Sequence, residues 1–205
     1  MRPSYGLNVD LPAAGSTSGF ALRALIGVSA VAALLALLVG VRPAPAAPGL
    51  LAGAAAACPG ADDMTAPEAV QRQAVVCLVN HARSRADRAR LGTPRKLRKA
   101  AALKGKVVVS CGQLSHTPCG AEPTAAVQRA GYRYAWFGEN LWLGTWGAFT
   151  PRQVVESWLA STPHRANILR TGFTDFGVAR VRANGVFGEP STAVWVATFA
   201  SPLGA

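Results

Sequence analysis

Phe176-Gly-Val-Ala-Arg-Val-Arg182 and Ala193-Val-Trp-Val-Ala-Thr-Phe199 decide the fold class. Both runs alternate and are rich in Val, Phe and Trp, the pattern of half-buried strands. Asn184-Gly185 and Gly188-Glu-Pro190 lie between them, so the two strands pair antiparallel across a long hairpin loop. The periodic segments upstream, from Thr65 to Leu159, read as helices joined by loops. Thr65-Ala-Pro-Glu68 has the form of a capping box and opens a helix with Val70, Ala74, Cys77, Leu78 and His81 on one stripe. Arg85 and Arg88 continue that stripe, so its buried face ends before them. Leu97, Ala101, Lys104 and Val108 predict a second helix over 95–109, and Pro123 to Arg129 a short one ended by Gly131. Thr150-Pro-Arg-Gln153 is a second capping box with Pro at the first helical position, followed by Val154, Val155, Trp158 and Leu159. Helices first and strands last, with no βαβ repetition, make the class α+β. No internal repeat and no phosphate-binding glycine loop is present.

Between Ser115 and Val178 the polar residues are spaced as a site. The chain has 3 histidines, and His116 and His164 both lie here with Glu139 between them. Two imidazoles and a carboxylate suit a divalent metal, zinc first, or acid/base work. The competing reading is a polar cleft in which these groups only hydrogen-bond one another. His81, on an apolar helical stripe, reads as a satisfied core histidine. Ser161, three residues before His164, permits a Ser–His pair steered by Glu139, but no nucleophile-elbow glycines surround it. Asn140, Ser161, Trp142 and Trp146 complete the predicted cleft. The two tryptophans, flanked by Gly144 and Gly147 in an expected loop, are the candidates for exposed aromatics that meet a ligand.

Composition adds a compartment and a surface. Ala24 to Val41 is an uncharged apolar run, between Arg23 and Arg42, on the border between a signal-peptide core and a minimal membrane helix. Residues 1–57 therefore read as a leader with an Ala/Pro/Gly-rich linker, and 58–205 as the exported domain. Ala44-Pro45-Ala46 offers a cleavage site; an uncleaved anchor is the other possibility. The four cysteines all follow the apolar run, and an even count in an exported chain implies two disulfides. Of three connectivities, the short closure Cys111–Cys119 leaves Cys58–Cys77. A four-cysteine zinc site is the competing reading, without the usual short paired spacings. The net charge is +11, and residues 83–106 concentrate it: ten Lys and Arg against Asp87 alone. Such a band suits an anionic envelope polymer or lipid surface, or is a solvated face. An exported chain with no nucleic-acid module is not expected to bind nucleic acid.

Leu78-Val-Asn80 with Arg83, Leu114-Ser-His-Thr117, Gly131-Tyr132, Gly138-Glu-Asn140, Val155 with Trp158, His164-Arg-Ala-Asn-Ile-Leu169, and Phe173-Thr with Gly177-Val178 recur in one order. In that order and spacing the chain resembles the CAP superfamily of cysteine-rich secretory, antigen 5 and pathogenesis-related proteins, in its short exported bacterial form. The resemblance covers about residues 68 to 200. It implies a three-layer α-β-α sandwich, and a cleft lined by two histidines, matched by His116 and His164, and two acids, one matched by Glu139. Ser161 stands where the second acid falls in the eukaryotic pattern, and Pro163 where Gly usually precedes the second histidine. The family resemblance implies no single activity: members include metal binders, sterol or fatty-acid binders and proposed proteases.

Two functional expectations follow. The first is an exported, non-catalytic CAP-domain protein that binds a divalent metal or small polar group at His116, Glu139 and His164, with aromatics beside it for a lipid or envelope ligand. The second is a metal-dependent hydrolase of peptide or envelope polymer, with zinc on the histidines and Glu139 activating water. That site is short of the usual three protein ligands plus a base.

Overall fold

Residues 47–204 are described by a computed structural model; the apolar run at 24–41 and the expected cleavage site lie outside the described residues. The element order is α1 (Ala54–Ala57), α2 (Glu68–Arg85), α3 (Arg95–Cys111), α4 (Ala125–Arg129), β1 (Tyr134–Thr145), α5 (Pro151–Ala160), α6 (Thr162–Leu169), β2 (Asp175–Asn184) and β3 (Ser191–Pro202). The strands form one antiparallel sheet in the order β1-β3-β2. β2 and β3 pair as the hairpin predicts, with Val178 opposite Ala197 and Arg180 opposite Trp195.

The central strand shows why both faces are covered. Along β3, Ala193, Trp195, Ala197 and Phe199 enter the core shared with α2, α5 and α6. Val194 and Val196 enter the core beneath α3. Alternation on a strand buried on both sides gives a near-continuous apolar run, and helices lie on either face: an α+β helix–sheet–helix stack. Trp158, fully buried, donates its Nε1–H to Leu141 O at 3.2 Å and so locks α5 to β1. Burying a side chain of that size contributes about 1.5–3 kcal/mol.

The helix over 95–109 is present as α3, and its four predicted stripe residues, Lys104 included, are buried. Gly112, at φ 60°, closes it in the left-handed conformation, where a Cβ is disfavoured. The Thr150 capping box forms in both directions. The one expected at Thr65 does not. Asp63 Oδ1 takes the Thr65 hydroxyl and the backbone N–H groups of Thr65 and Ala66, so α2 starts from Pro67 without a side-chain cap. Asp outcompetes the helix for its own local donors.

β1 corrects the expected loop at Trp142, whereas Trp146 lies in the turn that follows the strand, as expected. Residues 134–145 pair with β3 along their length, Trp142 opposite Trp195. Trp142 is half-buried and meets Phe149 edge-on at 4.9 Å. Trp146 is half-buried under the Arg180 guanidinium, 3.8 Å from the ring centroid. Gly138, Glu139, Asn140 and Gly144 depress strand propensity along this run and hide it from a propensity reading.

Both disulfides join the expected pairs, Cys58–Cys77 with Cα atoms 5.5 Å apart and Cys111–Cys119 at 5.8 Å. The packed region begins before Cys58: Leu50, Leu51 and Ala54 are buried in the α2/α5 core. Among the described residues no helix is long and apolar enough to cross a membrane.

Candidate functional site

Glu139 points to the α3 side of β1, and its neighbour Asn140 to the α6 side, because strand side chains alternate. The Glu139 carboxylate is only 3% exposed. Its Oε1 accepts from the His116 ring at Nδ1, 2.8 Å away, and lies 3.3 Å from the Lys104 ammonium, itself 4% exposed. Lys104 also donates to the His116 backbone carbonyl. A buried carboxylate requires a matching charge and hydrogen bonds, and Lys104 supplies the charge. Its place on the apolar stripe of α3 is explained by this partner.

His116 follows α3 inside the loop closed by Cys111–Cys119, and its side chain is 54% exposed. With Nδ1 held by Glu139, Nε2 is the free ring nitrogen; fixing one nitrogen through a carboxylate sets the tautomer and orientation of the other. His164 sits at the start of α6. Burial holds its pKa below the ordinary value, and the charge of His116 lowers it further.

The α6 side is tied to the free edge of β1 by amides. Asn140 Nδ2 donates to His164 O at 3.0 Å. Asn167 Nδ2 is shared between Glu139 O at 3.2 Å and Asn140 Oδ1 at 2.9 Å. Gly138 leaves room for this: a Cβ there would meet Asn167 Oδ1 at 2.9 Å and Phe173 Cζ at 2.8 Å. Beneath α6, buried Arg83 donates to Ala89 O, Ile168 O, Arg170 O and Phe173 O at 2.7 to 3.5 Å. It thereby ties the end of α2 to the end of α6 and the turn into β2. Burial pushes its guanidinium pKa down, with Arg88 adding to the effect.

His116 and Glu139 are thus brought into contact, with His164 across the β1 edge. Ser161 stands at the α5–α6 junction, where its backbone carbonyl accepts from Arg165 N–H at 2.8 Å; among the described residues its hydroxyl forms no bond to His164. Trp142, in β1, and Trp146, in the turn after it, are both half-buried against the core rather than exposed. His81 is half-buried with Nε2 2.9 Å from Ala52 O, a satisfied histidine. Lys104, Arg83 and Asn167 are the site-building residues that spacing does not identify. Arg83 and Asn167 are signalled by the motifs that carry the family resemblance, and Lys104 by being a cation on an otherwise apolar stripe.

The donor set bears on a metal. Among the described residues no group of three or more His, Cys, Asp and Glu is gathered closely enough to hold one. Glu139 is already matched by an ammonium, so a centre with three protein ligands does not fit; two imidazoles with solvent are what the cleft offers.

Residues 78–199, more than half of the chain, match the family model described as CAP, the cysteine-rich secretory protein family. The uncharacterized protein YkwD of Bacillus subtilis (strain 168) is 30% identical over 126 residues, covering 60% of this chain and 48% of its own length. The chain therefore spans about half the length of that relative. Among solved structures, an outer surface protein from Borrelia burgdorferi aligns with a TM-score of 0.55 at 18% identity, over 63% of this chain and 90% of that one. An extracellular protein containing a SCP domain from Bacillus anthracis str. Ames aligns at 0.55 and 22% identity, over 65% and 41%. A cysteine-rich secretory protein from Staphylococcus aureus subsp. aureus Mu50 aligns at 0.52 and 15% identity, over 66% and 40%. At these identities the structures speak for the fold alone. By the extent of the family match, the chain belongs to the cysteine-rich secretory protein (CAP) family.

Proposed function

We propose that this is an exported CAP-domain binding protein whose cleft, between His116 and His164 at the free edge of β1, takes a small polar group or a weakly held divalent cation. The observation that carries the reading is the Lys104–Glu139–His116 chain. A buried ammonium neutralises a buried carboxylate, which orients one exposed imidazole and leaves its Nε2 unengaged among the described residues, while Asn140 on the same strand holds the start of α6 and His164. The ring nitrogens not held by Glu139 offer a lone pair to a cation or donor, or an N–H to an acceptor, according to their protonation. Binding rather than turnover is supported by Glu139 being committed to two partners, and by Ser161 making no bond to His164 among the described residues. Export is supported by the apolar run at 24–41, two disulfides and neighbours that are described as extracellular or outer-surface proteins. The accessible aromatic on this strand is Trp136, 56% exposed, three residues before Glu139; it is the candidate contact for a lipid or envelope ligand.

Calorimetric titration of zinc, acetate and inorganic phosphate near neutral pH tests this, alongside a His116→Ala/His164→Ala protein. Heat from any of the three that the double variant loses supports the cleft as a binding site. Heat from none, or heat that the variant retains, overturns it.

A further inference from the structure

We propose that the recess between the start of α2 and the first turns of α3 is a binding groove for a linear, phosphate-bearing polyanion. This site is separate from the histidine cleft and shares no residue with it. The basic stretch 83–106 divides on folding: Arg83 and Lys104 turn inward to fixed partners, while the others stay at the surface. Of these, Arg95, Lys96, Arg98 and Lys99 converge with Arg72 of α2 around a recess of about 550 Å³.

Three observations raise this groove above a solvated face. First, the cations line a concavity. Arg95, Arg98, Lys99 and Ala102 follow at i, i+3, i+4 and i+7 on one helical stripe, which faces Arg72 on a different helix. Second, their charge is unmatched. The one acid in the wall, Glu68, lies 3.5 Å from Arg72, which is only 19% exposed. Among the described residues none of Arg95, Lys96, Arg98 and Lys99 lies within ion-pair distance of a carboxylate. Third, these four sit in the first turns of α3, where no acidic residue precedes them. Cations at the positive end of a helix oppose its dipole, an arrangement that an incoming anion relieves.

The lining selects among polyanions. Guanidinium forks grip phosphate oxygens bidentately. The uncharged wall is alanine (102, 130 and 179) with no aromatic ring, so nucleobases find no aromatic platform there. A flat lipid surface would meet a convex patch with apolar residues beside it. Among the described residues the exposed large apolar side chains are Met64, Val70, Trp136 and Leu203, none of them in the groove wall. A flexible chain with repeated phosphates fits a recess of this form.

The test is binding of linear inorganic polyphosphate to the full chain. Two proteins of equal charge loss are compared: Arg95→Gln/Arg98→Gln/Lys99→Gln in the groove, and Arg85→Gln/Arg88→Gln/Arg90→Gln outside it. All six side chains are exposed, so both variants fold, as far-UV circular dichroism would verify. The groove variant is expected to bind about tenfold or more weakly and the other within about twofold. The log–log salt slope for the parent is expected to be roughly 3 for four contacts on a flexible chain. Equal loss in both variants would make the effect net charge and overturn the groove. So would no polyphosphate binding, binding to phosphatidylglycerol vesicles alone, or polyglutamate binding as tightly as polyphosphate. The outcome is independent of the zinc, acetate and single-phosphate titrations, which report on the histidines.

Discussion

Lys104 and Glu139 act as one unit, and removing half of it is expected to cost more than removing all of it. Lys104→Met leaves a buried carboxylate unmatched, a loss of about 3–5 kcal/mol. Lys104→Met/Glu139→Leu is expected to recover most of that. Guanidinium unfolding of the two proteins checks the order, and a double variant as unstable as the single one would refute the pairing. His164 carries the pH dependence. Its folded-state pKa lies below the 6.5 of a free ring, so the unfolded chain holds the proton more tightly. The ring's share of stability is fully present above about pH 6.5 and is lost as pH falls through the folded value. His116→Gln removes one of the two causes, so NMR of the ring is expected to show His164 titrating closer to 6.5. His116, Glu139 and His164 were legible because so few residues of their types exist in the chain. Lys104 was not, since a lysine on an apolar stripe usually extends its ammonium to water.

α3 is positioned by glycines that leave the helix room against the sheet. A Cβ on Gly177 would run into the Leu97 carbonyl carbon and fall 2.5 Å from Arg98 N. These are backbone atoms, so nothing flexible can yield. Gly177→Ala is expected to cost about 3 kcal/mol, the upper end for overpacking, as α3 lifts from β2. At Gly105 the contact is Val181 Cγ2 at 2.6 Å, a side-chain methyl, and alanine improves helix propensity by about 1 kcal/mol. That variant is expected to be milder, and parallel urea denaturation curves compare the two. Elements with a clean period were readable: α3, α5, β2 and β3 lie where spacing put them. β1 was hidden because the residues that build the cleft, Gly138-Glu-Asn140, are poor strand formers whose place is fixed by pairing with β3. The Thr65 cap failed because a residue outside the motif intervened: Asp63 holds both the hydroxyl and the backbone N–H of Thr65.

The whole molecule is held by two short covalent loops around a three-stranded sheet. Their sequence separations are 19 and 8 residues, for which loop entropy gives about 3 and 2.5 kcal/mol. Cys58→Ala/Cys77→Ala is therefore expected to lower stability slightly more than Cys111→Ala/Cys119→Ala. The second pair encloses His116, so its loss is expected to weaken cleft ligands as well, read by repeating the calorimetry. The folded N-terminal arm could not be anticipated from an Ala/Gly-rich sequence, because its order comes from partners far along the chain. Leu50 and Leu51 enter the α2/α5 core, His81 meets Ala52 O, and Arg152 grips Asp62 through two bonds of 2.5 and 2.9 Å. The arm therefore cannot be peeled far from the domain: a pull applied at residue 47 is resisted first by the contacts of Leu50, Leu51 and Asp62 and then stops at Cys58, where Cys58–Cys77 hands it to α2 as a covalent load.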